Sequence, residues 1–224
     1  MRVLAVDTAT MAGGVALLDG ERVVGESLLD VRTTHSERLM FAVDRALADA
    51  GWGATTLDGL AVTVGPGSFT GLRIGLAAVK GLALALSRPI AAVPTLEAMA
   101  AGLPWAARPV CPVLDARKGE VYAGLFRWDG TAMRAEWDAV ALSPHALAER
   151  LTEPVIGVGD GAALVLSPLM TLAAPVRRGP SAAVVGWLGA QRLRQGEIVG
   201  AAALVPFYLR PSEAELRRRG LAVH

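Results

Sequence analysis

Apolar and polar positions follow two alternating rhythms along this 224-residue chain. Residues 2–7 (RVLAVD) form a short apolar run ending in an acid, the pattern of a buried strand. After a turn, GGVALLD predicts a second strand, Asp19-Gly20 a hairpin turn, and ERVVGESLL a third strand. Thr34 and Glu37 form a capping box. Leu39, Val43 and Leu47 then recur at helical spacing, and Gly51 ends the helix. LAVTV (60–64) is the next strand, GPGSFTG a loop, 71–87 a long apolar helix, and IAAVP (90–94) a further strand. The first half therefore reads β-β-β-α-β-α-β.

The second half repeats this plan. VCPVLD (110–115) matches VLAVD, since both are apolar runs ending in Asp, and EVYAGLF (120–126) matches GGVALL. Asp129-Gly130 repeats the Asp19-Gly20 turn. Ser143-Pro144 is an N-cap followed by a proline suited to the first helical position. VIGVGDG (155–161) stands where AVTVGPG stood. A duplicated strand-Asp-hairpin, helix, strand-Gly-x-Gly unit is the pattern of the actin-like, sugar-kinase-like ATPases, an α/β class with a ribonuclease-H-like core in two lobes. The Pro-rich stretch 102–112 sets the expected boundary, with an N-terminal, partner-binding lobe over 1–101 and a smaller lobe over 102–224.

Composition adds one demand. Hydrophobic residues make up 53% of the chain and the mean hydropathy is +0.42, while aromatics are only 5%. Such an excess calls for a membrane, a large core or a partner protein. Residues 71–87 come nearest to a membrane span, but Arg73 and Lys80 interrupt the run and glycines bracket it. The start MRVLAVDTAT has no signal-peptide pattern. A single cysteine, Cys111, excludes an internal disulfide and fits a reducing, cytoplasmic compartment. A net charge of +1 is not the footprint of a protein that grips RNA by itself.

Chemistry has few footholds. Asp7 and Asp115 end strands at the heads of hairpins; they either hold a metal beside a phosphate or cap their own turns, and Asx capping is the commoner role. GPGSFTG opens a helix, the right place for an anion, yet no Gly-Lys-Ser/Thr follows. With Thr8, Gly67 and Gly159, these residues define a vestigial nucleotide cleft in which residual ATP or ADP is the only ligand expected. His35 lacks a second ligand one turn on, because position 39 is Leu, and His145 and His224 have no ligand-spaced partner. Ser68, Ser181 and Ser212 lie in no nucleophile elbow. Arg217, Arg218 and Arg219 close a short helix begun by a Ser212/Glu215 capping box and read as a solvated face. No cofactor, metal site or catalytic residue is expected.

VDTAT, HSERLM, VTVGPGSFTGLRIGLAAVKGLA, VPTLEA, LDARKGEVY and YLRPSEAE together resemble the TsaB (YeaZ) family over nearly the whole chain. That resemblance implies heterodimer formation with the paralogue TsaD, a threonylcarbamoyl transferase, and a complex with the small ATPase TsaE. Substrate there is threonylcarbamoyl-adenylate from TsaC, and tRNA is met only through the complex. TsaD carries H-x-x-x-H on its first helix and an acid in its first hairpin turn. Leu39 and Met11 stand at those positions here, and a thioether does not bind a hard cation as a carboxylate does. The chain is therefore expected to be a non-catalytic scaffold; the competing expectation is an ATP- or metal-dependent transferase, or a glycoprotease-like peptidase, acting on its own.

The apolar helix supplies the expected partner surface. Leu72, Leu76, Val79 and Ala83 fall on one side, suited to the chain's own sheet; Ile74, Ala78, Gly81 and Ala85 fall on another, and small residues there admit a second helix closely. Leu39, Met40 and Val43 of the preceding helix extend this face. The same patch would form a homodimer in TsaD's absence.

Overall fold

The computed structural model describes residues 1–30 and 35–210, apart from the side chains at 29, 30 and 35–37. The Thr34/Glu37 capping box, the His35 side chain and the Ser212–Arg219 helix lie outside the described residues.

Strands β1 (Arg2–Asp7), β2 (Ala12–Asp19) and β3 (Arg22–Asp30) make an antiparallel meander. Helix α1 (His35–Asp49) leads to β4 (Gly59–Gly65), α2 (Phe69–Leu86) and β5 (Ile90–Pro94), and both later strands run parallel to β1. The sheet order is β3-β2-β1-β4-β5. After α3 (Thr95–Ala101) the plan recurs: β6 (Val110–Arg117), β7 (Glu120–Trp128), β8 (Met133–Leu142), α4 (Pro144–Arg150), β9 (Val155–Val158) and β10 (Met170–Leu172). The second sheet reads β8-β7-β6-β9-β10, position for position the order of the first, with the same pattern of parallel and antiparallel pairs. The internal repeat is thus a repeat of topology. Where α2 stands in the first unit, the second has only a 3₁₀ turn at Ala162–Leu164.

Period-two alternation divides the first sheet between two partners. Leu4, Val6, Val15, Leu17, Leu60 and Val62 face α1 and α2, whereas Val3, Ala5, Ala16, Ala61 and Ala91 face the last helix, α5 (Ala182–Gln195). Ser181 caps α5 by accepting from Val184 N (3.2 Å), and Gly196 ends it at φ +76°. Gly186 and Gly189 bring α5 onto the alanine face; a Cβ at Gly189 would overlap the Ala61 methyl. Helix α3 makes the converse crossing, packing Leu96, Met99 and Ala100 with Leu114, Phe126 and Val158 of the second sheet. Residues 199–208 likewise lie on the first lobe: Val199 N donates to Ile90 O (2.8 Å), Leu204 is buried with the α1/α2 core, and Phe207 N donates to Val64 O (2.7 Å). A boundary at 102 separates the two sheets, but not the helices that cover them.

Cys111 is buried and free, and burial pushes its thiol up to about 12. Helix α2 is long and apolar enough to cross a membrane by length and composition, yet one face of it, Leu72, Leu76, Val79 and Ala83, is buried in the first core.

Candidate functional site

The first hairpin head is a closed knot. Asp7 is 2% exposed, and its Oδ1 accepts from Ala9 N (3.0 Å) and from the buried Thr63 hydroxyl (2.9 Å). Thr8 Oγ1 donates to Gly71 O (2.8 Å), and Ser68 N donates to Ala9 O (2.6 Å). Ser68 Oγ caps the helix by accepting from Gly71 N (3.2 Å). The start of α2 is thereby bonded to the β1 turn rather than open to an anion. Gly67, Gly71 and Gly75 exist for this contact: a Cβ at each would overlap Ala9 O, Thr8 O and Thr8 Oγ1 respectively. The long motif GPGSFTGLRIG is a packing device for VDTAT.

The second hairpin head is built alike. Asp115 Oδ1 accepts from Arg117 N (2.8 Å) and Oδ2 from the Arg117 guanidinium (2.9 Å). Arg117, Lys118 and Gly119 all have φ between +55° and +76°, as a tight primed turn requires. Asp160 Oδ1 accepts from Asp115 N (3.0 Å), and Gly161 N donates to Val113 O (3.1 Å). Gly159, at φ +101°, presses its Cα side onto Val113 O. Asp115 thus bonds within its own turn and Asp7 bonds both its turn and Thr63 of β4, and no group of three or more His, Cys, Asp or Glu able to hold a metal occurs among the described residues.

Asp7 serves as an acceptor, so its charge should be dispensable. Asp7→Asn is expected to stay folded, while Asp7→Ala strands the Thr63 hydroxyl and Ala9 N and costs about 1–3 kcal/mol. Urea unfolding of the two variants checks this; a large loss with Asn would instead point to a need for the charge.

A cleft of about 730 Å³ lies between the lobes. Of the five residues expected to line a nucleotide cleft, only Gly159 borders this one; Asp7 and Thr8 are held at the first turn, Gly67 of the β4–α2 loop is pressed on Ala9 of that turn, and Asp115 is held in its own turn. The cleft is bordered instead by Thr10, Met11 and Leu28 from the first lobe and by Asp160, Leu172 and Pro175–Ser181 from the second. Glu26 Oε1 sits at the start of α5, accepting from Ser181 Oγ (2.8 Å) and Ala183 N (2.9 Å), and fills that helix terminus with the chain's own carboxylate.

The second candidate surface is the outer side of α2. Ile74 and Ala78 are half-buried against the first core, whereas Gly81, Leu84 and Ala85 are exposed, Leu84 at 72%. A Cβ on Gly81 would meet nothing within 4 Å. On α1 the expectation needs correction: Leu39 and Val43 are buried with Leu47 in the core, because one i, i+4 stripe cannot face both the sheet and a partner. Met40 is exposed, and Phe41, missed in the sequence, stands 71% exposed beside a groove between α1 and β3.

Three separated motifs meet behind α2. Tyr208 stacks on Phe69 (4.9 Å between centroids), Arg73 lies over Phe69 and donates to Tyr208 OH (3.1 Å), and Arg210 pairs with Glu120 of the second lobe (2.6 Å). SFTGLR, KGEVY and YLR are therefore parts of one clasp, a grouping without periodicity to reveal it.

Two sheets of identical order flanking a cleft define a duplicated actin-like, sugar-kinase-like α/β protein. Component A of (R)-2-hydroxyglutaryl-CoA dehydratase from Acidaminococcus fermentans shares this fold, with a TM-score of 0.55 at 12% identity over 87% of this chain and 99% of that one. YeaZ from Pseudomonas aeruginosa superposes with a TM-score of 0.81 at 32% identity, covering 93% of this chain and 99% of that one. A family model for TsaD, tRNA N6-adenosine threonylcarbamoyltransferase, matches residues 30–151. The tRNA threonylcarbamoyladenosine biosynthesis protein TsaB of Bacillus subtilis (strain 168) is 32% identical over 97% of either chain. Its namesake in Escherichia coli (strain K12) is 38% identical over 68% of this chain and 67% of that one. The chain belongs to the TsaB (YeaZ) family, and so to tRNA threonylcarbamoyladenosine biosynthesis.

Proposed function

We propose that this chain is a non-catalytic cytoplasmic subunit that binds TsaD through α2 and the adjoining edge of α1 and, with TsaE, supports threonylcarbamoyl transfer to tRNA. The observation that carries this is the open strip Gly81, Leu84 and Ala85 on a helix whose other face is core. An exposed apolar strip a little over one turn long favours a partner helix, and glycine and alanine let its backbone approach closely. A TsaD related in fold would offer its own equivalent pair of helices, making a four-helix contact, and a second copy of this chain competes for the same strip. The engagement of Asp7 by its turn and Thr63, and of Asp115 by its own turn, supports the absence of catalysis. Transfer RNA is met through the assembled complex.

The test is reconstitution. Purified chain, threonylcarbamoyl-adenylate and unmodified tRNA should give no modified nucleoside; adding TsaD and TsaE should restore it. Turnover by the chain alone would replace the scaffold reading with an enzymatic one.

A further inference from the structure

We propose that the interlobe cleft is a peptide-docking site, which takes a segment of a partner protein carrying an apolar side chain beside a carboxylate. This surface is separate from the α2 strip. The lips of the cleft are apolar on both lobes: Met11 and Leu28 are 44% and 46% exposed on one side, and Val176 is 88% exposed on the other. Large apolar side chains gathered at the mouth of a concavity mark an interaction site. Beside Val176 the wall carries Arg177 and Arg178, neither of which has a carboxylate partner among the described residues; Arg178 spends only its Nε, on Ala173 O (2.6 Å).

The carboxylates that border the cleft are engaged. Glu26 holds the start of α5, and Asp160 accepts from Asp115 N. The unspent polar capacity is therefore cationic, and it adjoins an apolar lip. A nucleotide fits this poorly. Glu26 occupies the N-terminus of α5 at the cleft and would repel a phosphate placed there, while Gly159 and Gly161 are pressed on the β6 backbone. A single carboxylate flanked by Leu, Met or Phe satisfies both the arginines and the lips.

Fluorescence polarisation on the full chain tests this, with labelled short peptides that pair Leu or Phe with Glu as probes. Matched peptides with Lys in place of Glu, and ATP and ADP, serve as controls. The acidic apolar peptides should bind and the lysine set should not. The R177E/R178E double variant should weaken binding about tenfold or more, as should Val176→Asp. Val176 and Arg177 are exposed, so V176D and R177E alone should melt like the parent protein and still weaken binding; R178E also gives up the bond to Ala173 O, a cost that the melt of the double variant reads. Binding of ATP or ADP in preference to every peptide, peptide binding unchanged in these variants, or no binding of any probe would each overturn the proposal.

Discussion

Gly81→Arg should lower affinity for TsaD by more than ~100-fold while leaving the isolated chain at least as stable as before. The two halves of this result have separate causes. Gly81 lies within an 18-residue helix, and open space surrounds the position of its missing Cβ. Arginine there clashes with nothing in the monomer and gains helix propensity worth about 0.8 kcal/mol over glycine. In a dry helix–helix contact the same side chain is an unpaired charge, costing about 3–5 kcal/mol. At about 1.4 kcal/mol per decade, that is two orders of magnitude or more in Kd. Ala78, the neighbouring small residue, makes a poorer probe, because it is half-buried against the core and its replacement would mix unfolding with dissociation. Titration calorimetry against TsaD, paired with a thermal melt of the chain, reads both quantities. Normal TsaD affinity in a folded Gly81→Arg variant would move the interface off α2.

One methyl group ten residues earlier in the same helix should do the opposite. Gly71→Ala is expected to destabilise the chain by about 3 kcal/mol, at the upper end of what overpacking costs. The added carbon would overlap the Thr8 carbonyl oxygen, a backbone atom that rotation of a side chain cannot clear. Thr8 is pinned by its hydroxyl bond to Gly71 O, and Ala9 by Ser68 N, so the turn has little freedom to retreat. Gly81→Ala, in contrast, should gain about 0.8–1 kcal/mol. Urea denaturation of the pair gives the two signs directly. If Gly71→Ala were neutral in stability yet impaired function, the loop would be serving a ligand and not the turn.

The strands and the long helix were legible because their patterns are simple: continuous apolar runs for the buried β1, β2, β4 and β6, and all-round apolar for α2. The repeat was legible because each unit carries an Asp at or near the end of its first strand and turns its second hairpin on Asp-Gly. Two helices escaped. Helix α3 is seven residues long and buried at six of them, so it presents no polar face to mark its period. Helix α5 carries Gly186 and Gly189, which read as breakers until the alanine face of the first sheet shows what they accommodate. At the site, chemistry was legible only as residue type. Asx capping by Asp7 and Asp115 was the commoner expectation, but nothing in their spacing reveals that Asp7 also binds Thr63 of β4, or that Glu26, nearly 160 residues from Ala183, stoppers the helix that begins there.

The placement of α5 has a consequence for how the protein is made. The last strand of the first sheet ends at residue 94, but the helix that covers its inner face begins at residue 182. At about 5–20 residues per second, the ribosome takes roughly 5–20 seconds to bridge that gap. Throughout it the nascent first lobe holds a finished sheet with one side in water. That side carries Ala5, Ala16, Ala61 and Ala91 beside Val3, Leu18 and Val93, whereas the side covered earlier by α1 and α2 is lined by leucine and valine. The face that must wait longest is the one with the least apolar area to attract a neighbouring chain.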